Sequence, residues 1–71
     1  MTQNNRLNTI LNMLNTEPND LFLNYSLGIE YLAMENYTLA IQQFNISLNL
    51  NNNYHTANYQ IGKCYQAIND I

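Results

Sequence analysis

Residues 21–54 read LFLNYSLGIEYLAMENYTLAIQQFNISLNLNNNY, and the architecture of the chain can be predicted outward from them. Apolar side chains recur here at intervals of three and four residues, the period of a helix with one apolar face. The polar pair Glu35-Asn36 interrupts the pattern, and we expect Asn36 to take the left-handed conformation that closes a helix. Only three residues separate Met34 from Thr38, so the two helices must fold back antiparallel.

The same period continues toward both ends of the chain and predicts four helices. Their ranges are roughly 4–16, 21–34, 38–50 and 55–68. Pro18 is expected to end the first helix, and Asp20 to cap the second by accepting from its free N–H groups. The chain has no valine and no extended alternation of apolar with polar residues, so strands are not expected. We therefore predict an all-α fold.

Asparagine makes up 15 of the 71 residues, a composition that is also found in disordered low-complexity segments. The spacing favours helices instead. In the first helix the apolar face consists of Leu7, Ile10, Leu11 and Leu14, and the opposite face carries Asn5, Asn8, Asn12 and Asn15. Because asparagine is a weak helix former, packing between helices must hold this structure together.

The chain repeats itself at an offset of 34 residues. Residues 21–37 match 55–71, and residues 3–20 overlay 37–54. The identical pairs in the first comparison are Asn24/Asn58, Tyr25/Tyr59, Gly28/Gly62, Tyr31/Tyr65 and Ala33/Ala67. We divide a single domain, 1–71, into a partial repeat at 4–20, a full repeat at 21–54 and the first helix of a further repeat at 55–71.

This period and its residues resemble the tetratricopeptide repeat family. The signature positions hold Asn24-x2-Leu27-Gly28-x2-Tyr31 and Ala40-x3-Phe44, and the second copy holds Asn58-x2-Ile61-Gly62-x2-Tyr65. The resemblance covers nearly the whole chain, with asparagine in place of the usual tryptophan and of the closing proline. It implies an α-solenoid of antiparallel helix hairpins, about two tetratricopeptide-like units in the helix order B-A-B-A.

Two mid-helix glycines, Gly28 and Gly62, fall at the same phase of the repeat. Glycine inside a helix costs about 1 kcal/mol relative to alanine. We expect that a neighbouring helix crosses closely at both positions. Gly28 and Ala40 would then be the small residues that let Leu27, Tyr31 and Phe44 interlock.

The resemblance also implies where a partner binds, because the first helix of each repeat lines a concave groove in this family. The groove positions with proposed contacts are Phe22, Tyr25, Ile29, Tyr59, Lys63 and Gln66. We therefore expect a non-catalytic protein-interaction module that binds a peptide or helix, with tyrosines as rigid anchors. The alternative is that Tyr25 and Tyr59 stack on each other as packing residues.

Composition argues against several other functions. A net charge of −3 without a basic cluster disfavours nucleic-acid binding, and the longest apolar run, 31–34, is too short to span a membrane. The N-terminus lacks the features of a secretory signal, so a cytoplasmic location is expected. Cys64 and His55 are the only residues of their types and lie nine positions apart in one helix. We expect no enzyme activity, no cofactor and no metal site.

Self-association is the alternative function. The helix at 38–50 carries Leu39, Ile46 and Leu50 opposite its expected inner face, although Leu50 could belong to the core. No polar capping helix is seen at either end of the repeat array. We expect a homo-oligomer in which Ile61, Tyr65 and Ile68 of one chain meet Leu7, Ile10 and Leu14 of another. The remaining alternative is a fragment of a longer array.

Overall fold

Four α-helices make up residues 2–70, the part of the chain that the computed structural model describes. They are α1 (Thr2–Thr16), α2 (Leu21–Ala33), α3 (Tyr37–Leu50) and α4 (His55–Asn69). Each begins and ends within two residues of its predicted range, and no strand occurs among these residues. The all-α prediction is confirmed for the described residues. Met1 and Ile71, the outer limits of the expected domain, lie outside them.

Two side chains hold the turn between α1 and α2 together. Asp20 caps α2 as predicted, because its Oδ1 accepts a hydrogen bond from the Leu23 N–H at 2.8 Å. Asn24, only 5 % exposed, donates from Nδ2 to the carbonyl oxygens of Pro18 and Asp20 at 3.0 and 2.9 Å. Hydrogen bonds of these two side chains therefore join the turn to the first turns of α2.

The connection between α2 and α3 corrects one expectation. Glu35, not Asn36, takes the left-handed conformation, with φ 61°. The Glu35 N–H donates to the Leu32 carbonyl and the Asn36 N–H to the Tyr31 carbonyl, both at 2.9 Å, which closes α2 in a Schellman motif. The side chain of Asn36 accepts from the Leu39 N–H at 3.4 Å and so begins α3. Asn36 is the N-cap of α3, so the residue with the left-handed conformation is Glu35.

Each helix packs against the one that follows it along the chain. Connections of three or four residues join packed helices, so the chain reverses direction at each one. The molecule is thin, with Cα extents of 36 × 33 × 14 Å, and few side chains are fully enclosed. The buried apolar residues are Ile10, Leu27, Ala40, Phe44, Ala57 and Cys64.

The two glycines of the repeat have different surroundings. A Cβ atom on Gly28 would lie 2.6 Å from Cε1 of Phe44, so α3 crosses α2 closely there, as predicted. At Gly62 a Cβ would meet no described atom within 4 Å. The expected close crossing at Gly62 is therefore wrong for residues 2–70, because no helix among them covers that side of α4.

Candidate functional site

An open pocket lies between α1 and α2 and has a volume of about 480 Å³. This volume is in the range of small-ligand and side-chain pockets in proteins. Its lining consists of Arg6, Thr9, Ile10, Met13, Phe22, Leu23, Tyr25, Ser26, Ile29 and Glu30. The first four of these residues belong to α1 and the other six to α2, and helical spacing of three and four residues brings those of each helix to one side.

Apolar side chains dominate the accessible wall of this pocket. Phe22 is 69 % exposed and Met13 is 48 % exposed, so both present apolar surface to solvent. Ile10, by contrast, is only 7 % exposed and packs within the chain. The pocket thus has a packed floor and two exposed apolar side chains at its rim, an arrangement typical of a binding surface.

Tyr25 forms a rigid part of the wall. Its ring lies 5.5 Å from that of Phe44 in a tilted arrangement, and 5.2 Å from that of Tyr54, edge to face. Its Oη accepts a hydrogen bond from Nε2 of Gln60 at 3.2 Å, which links α2 to α4. The aromatic partners of Tyr25 are therefore Phe44 and Tyr54, whereas Tyr59 is 66 % exposed. Lys63 Nζ lies 5.6 Å from the centroid of the Tyr59 ring.

An ion pair crosses from α1 to α2 beside the apolar wall. Arg6 Nη1 donates to Glu30 Oε2 at 3.2 Å. The two side chains differ sharply in exposure, at 64 % for Arg6 and 4 % for Glu30. The second carboxylate oxygen, Glu30 Oε1, is buried and has no hydrogen-bond partner among the described residues. A buried carboxylate oxygen without a donor is costly, so this one requires an explanation.

Arg6, Met13 and Glu30 were not predicted as site residues, although the repeat contained a signal for Arg6 and Glu30. At an offset of 34, Arg6 falls on Ala40 and Glu30 falls on Cys64. Both Ala40 and Cys64 are fully buried. Opposite charges at two positions that are small and buried in the other repeat are typical of an ion pair between neighbouring helices.

Three of the six predicted groove residues line the α1–α2 pocket. These are Phe22, Tyr25 and Ile29, whereas Tyr59, Lys63 and Gln66 lie exposed on α4, outside it. The residues expected to self-associate are also divided. Ile10 is buried and lines the pocket, Leu7, Leu14 and Ile61 are half-buried, and Tyr65 and Ile68 are 53 % and 38 % exposed.

The second apolar face expected on α3 is present in part. Leu39, Ile46 and Leu50 are each between 36 % and 39 % exposed. Leu50 is therefore as accessible as the other two rather than enclosed in the core. The three side chains form a modest surface patch away from the α1–α2 pocket.

Cys64 and His55 occupy different environments. Cys64 is fully buried, and this burial raises the pKa of its thiol, although the charge of Lys63 lowers it in part. Such a thiol is a poor nucleophile because little thiolate is present near neutral pH. His55 is exposed at the start of α4. Among the described residues, no group of three histidine, cysteine or acidic side chains is arranged to hold a metal ion.

None of the helices in residues 2–70 combines the length and apolar character needed to cross a bilayer. Comparisons with known proteins find no matching family model, no matching curated protein and no matching solved structure. The chemistry of the pocket is therefore the basis for inferring a function.

Proposed function

We propose that this chain is a non-catalytic protein-interaction module that binds an apolar helix or peptide in the α1–α2 pocket. The observation that carries the proposal is the open pocket of about 480 Å³ with Phe22 and Met13 exposed at its rim. Exposed apolar patches with a polar border are typical of protein-binding surfaces. The polar side chains of Arg6, Thr9 and Ser26 also line this pocket.

The proposed architecture is a solenoid of tetratricopeptide-like hairpins in the order B-A-B-A. In its favour are the sequential packing of α1 to α4 and the close approach of Phe44 to Gly28, at the small-residue position of the repeat. The burial of Ala40 and Phe44 agrees with the same pattern. In such an architecture α2 and α4 are the helices that face a partner, and α2 supplies the wall of the pocket.

A selection from a displayed library of helical peptides tests the proposal, and two methionines provide matched variants. Met13 lines the pocket, whereas Met34 ends α2 outside it and is similarly exposed, at 38 %. Peptides selected on the native chain should bind about tenfold or more weakly to Met13→Ala or Phe22→Ala, as expected for anchor residues at the centre of an interface. Binding to Met34→Ala should be unchanged. Equal loss in both methionine variants, or none in either, would refute binding in this pocket.

A further inference from the structure

Helices α2 and α4 share a residue pattern but differ in what covers them. Helix α2 packs against both α1 and α3, whereas α4 packs mainly against α3. The side of α4 that corresponds to the α3-facing side of α2 is open. We call it the α4 face and define it by Gly62, Tyr65 and Ile68. No described atom lies within 4 Å of a Cβ on Gly62, and both larger side chains are exposed.

The α1–α2 pocket and the α4 face are related by the 34-residue repeat. At an offset of 34 residues α1 corresponds to α3, and α2 corresponds to α4. Within one chain α2 lies on α3 and α4. In the same way, α4 of a second copy could lie on α1 and α2. The contacts inside one chain thus supply a template for a contact between two chains.

The apolar contacts of this template fit the pocket. Within the chain Gly28 receives the ring of Phe44, and the corresponding residues at the junction are Gly62 of the second copy and Ile10. Tyr25 contacts Gln60, and its counterpart contact joins Tyr59 of the second copy to Ser26. Both Ile10 and Ser26 line the pocket.

The junction differs from its template at Arg6, which stands where α3 has Ala40. The larger arginine requires more space between the helices. Ile10 is smaller than the Phe44 ring that it replaces, and the open side of Gly62 adds further room. Because the Arg6 side chain is 64 % exposed, its guanidinium can stay at the edge of the junction while it remains paired with Glu30.

Charge complementarity then identifies a specific contact. Ile29 lies one helical turn beyond Tyr25, and Cys64 one turn beyond Gln60. Two chain reversals make α2 and α4 run in the same direction, so the template places Ile29 opposite Cys64, and Ile29 packs against the core cluster of which Cys64 is one member. The counterparts of Ile29 and Cys64 are Lys63 and Glu30. Lys63 of a second copy would therefore lie beside Glu30, and the carboxylate must turn toward the pocket to meet the ammonium, because the chain's own atoms cover Oε1.

We infer that the α1–α2 pocket binds α4 of a second copy, with the Lys63 ammonium of that copy donating to the Glu30 carboxylate. This inference rests on the proposed function, since it uses the same pocket, and it names the partner. The contact joins two different surfaces, so repetition of it closes a ring or extends a filament.

Two variants, each lacking one surface, test the inference in the full-length chain. Gly62→Gln blocks the α4 face, and the single chain has space for it because no described atom lies within 4 Å of that Cβ. Met13→Glu places a charge in the pocket, and Met34→Glu is its matched control on the same kind of exposed methionine. In sedimentation velocity the native chain and Met34→Glu should associate as concentration rises toward about 1 mM. Gly62→Gln and Met13→Glu should each stay monomeric alone.

The mixture of the two variants gives the decisive result. Gly62→Gln keeps an intact pocket and Met13→Glu keeps an intact α4 face, so together they should form a one-to-one heterodimer and no larger species. A native chain that remains monomeric at about 1 mM would overturn the inference. So would a mixture that stays monomeric, or variants that still associate alone, since these results indicate a symmetric contact or another surface.

The ion pair is tested by a double-mutant cycle. Lys63→Met keeps the apolar stem and removes the ammonium, and it should weaken association about tenfold or more, the effect of a hydrogen bond to a charged group. In a Glu30→Met background the same change should have little effect. Glu30→Met leaves Arg6 in solvent, so no charge is stranded in the core. Asn69→Met, at the exposed C-terminal end of α4, is the control and should retain native association. Equal loss from Lys63→Met in both backgrounds would refute this contact.

Failure of this inference can be distinguished from failure of the proposed function. If the chain does not self-associate but selected peptides still depend on Met13, the pocket binds a different partner and only the inference is wrong. If the peptides are also indifferent to Met13, the proposed function is wrong as well.

Discussion

Gly28 and Gly62 lie 34 residues apart at the same position of the same pattern, yet their surroundings have little in common. A Cβ on Gly28 would lie 2.6 Å from the Phe44 ring, whereas a Cβ on Gly62 would meet no atom of residues 2–70 within 4 Å. The flanking residues differ in the same way, since Tyr31 is half-buried and Tyr65 is 53 % exposed. The pattern thus encodes a helix surface that can accept another helix. Whether the surface is occupied depends on which helices surround it.

The polar residues of the two copies show the same contrast. Asn24 is 5 % exposed and donates to two backbone carbonyls in the turn before α2. Asn58, its counterpart in α4, is exposed. An identical side chain is therefore a structural link in one copy and a solvated surface residue in the other. Substitutions at matched positions should separate these roles.

Substitution of the glycines by leucine should give the largest difference. Gly28→Leu forces the Phe44 ring away from α2 and should lower the free energy of unfolding by about 1–3 kcal/mol or more. This is a large share of the total stability of a small domain. Gly62→Leu should cause no such loss, because its side chain projects into open space. Urea denaturation at micromolar protein concentration measures the free energy of unfolding of both variants. A similar loss in the two variants would contradict the contrast.

The asparagines should show a smaller difference. Asn24→Ala removes two hydrogen bonds and leaves the Pro18 and Asp20 carbonyls without their side-chain donor, so we expect a loss of about 1–2 kcal/mol. Asn58→Ala should be neutral or slightly stabilising, since alanine is the better helix former by about 0.5 kcal/mol. Thermal unfolding followed by circular dichroism distinguishes the two variants. A loss of stability in Asn58→Ala would show that Asn58 has a structural partner after all.

Gly62→Ala should separate folding from association, because its effects on the two have opposite signs. Within one chain alanine stabilises α4 by about 0.5–1 kcal/mol relative to glycine, since the added methyl group meets no neighbour. At the proposed junction the same methyl group occupies space that Ile10 needs, so self-association should weaken. Denaturation at low concentration and sedimentation at high concentration provide the two measurements. A variant that is more stable and also associates more tightly would argue against the junction.

The smallest effect concerns the buried thiol. Burial raises the pKa of Cys64 in the folded chain above its ordinary value of 9.0. The unfolded thiol therefore loses its proton first as the pH rises, and the free energy of unfolding should fall above about pH 9. The native chain is compared with Cys64→Ala, in which the part of this decline that comes from the thiol should be missing. If the free energy of unfolding falls equally steeply with pH in the two chains, the pKa of Cys64 is the same in the folded and unfolded states.

Sequence periodicity was sufficient for the parts of the fold that depend on local interactions. The four helices follow from apolar spacing, and the Asp20 cap follows from the chemistry of free N–H groups. Asn36 was assigned the wrong role because asparagine suits both the left-handed conformation and the N-cap position. The short connection required both features in neighbouring residues, and Glu35 took the first of them.

The α1–α2 pocket was only partly predictable because it depends on the angle between two helices. A groove along α2 and α4 was expected, and Phe22, Tyr25 and Ile29 do line the pocket. Its other wall comes from α1, however, and no spacing rule within one helix indicates Met13 as a site residue. The Arg6–Glu30 ion pair could have been found by asking which repeat positions hold charges in one copy and small buried residues in the other.

A dilution series of amide NMR spectra tests most directly whether one chain's pocket binds another chain's α4. Between about 10 µM and 1 mM, we expect the amide chemical shifts to change with concentration at two separate places, the pocket and the α4 face. Ser26 and Ile29 report on the pocket, and Gly62 and Lys63 report on α4. Ile46, exposed on α3 away from both, should stay constant. Shifts confined to Ile46 and its neighbours, or spectra that do not change with concentration, would contradict the account.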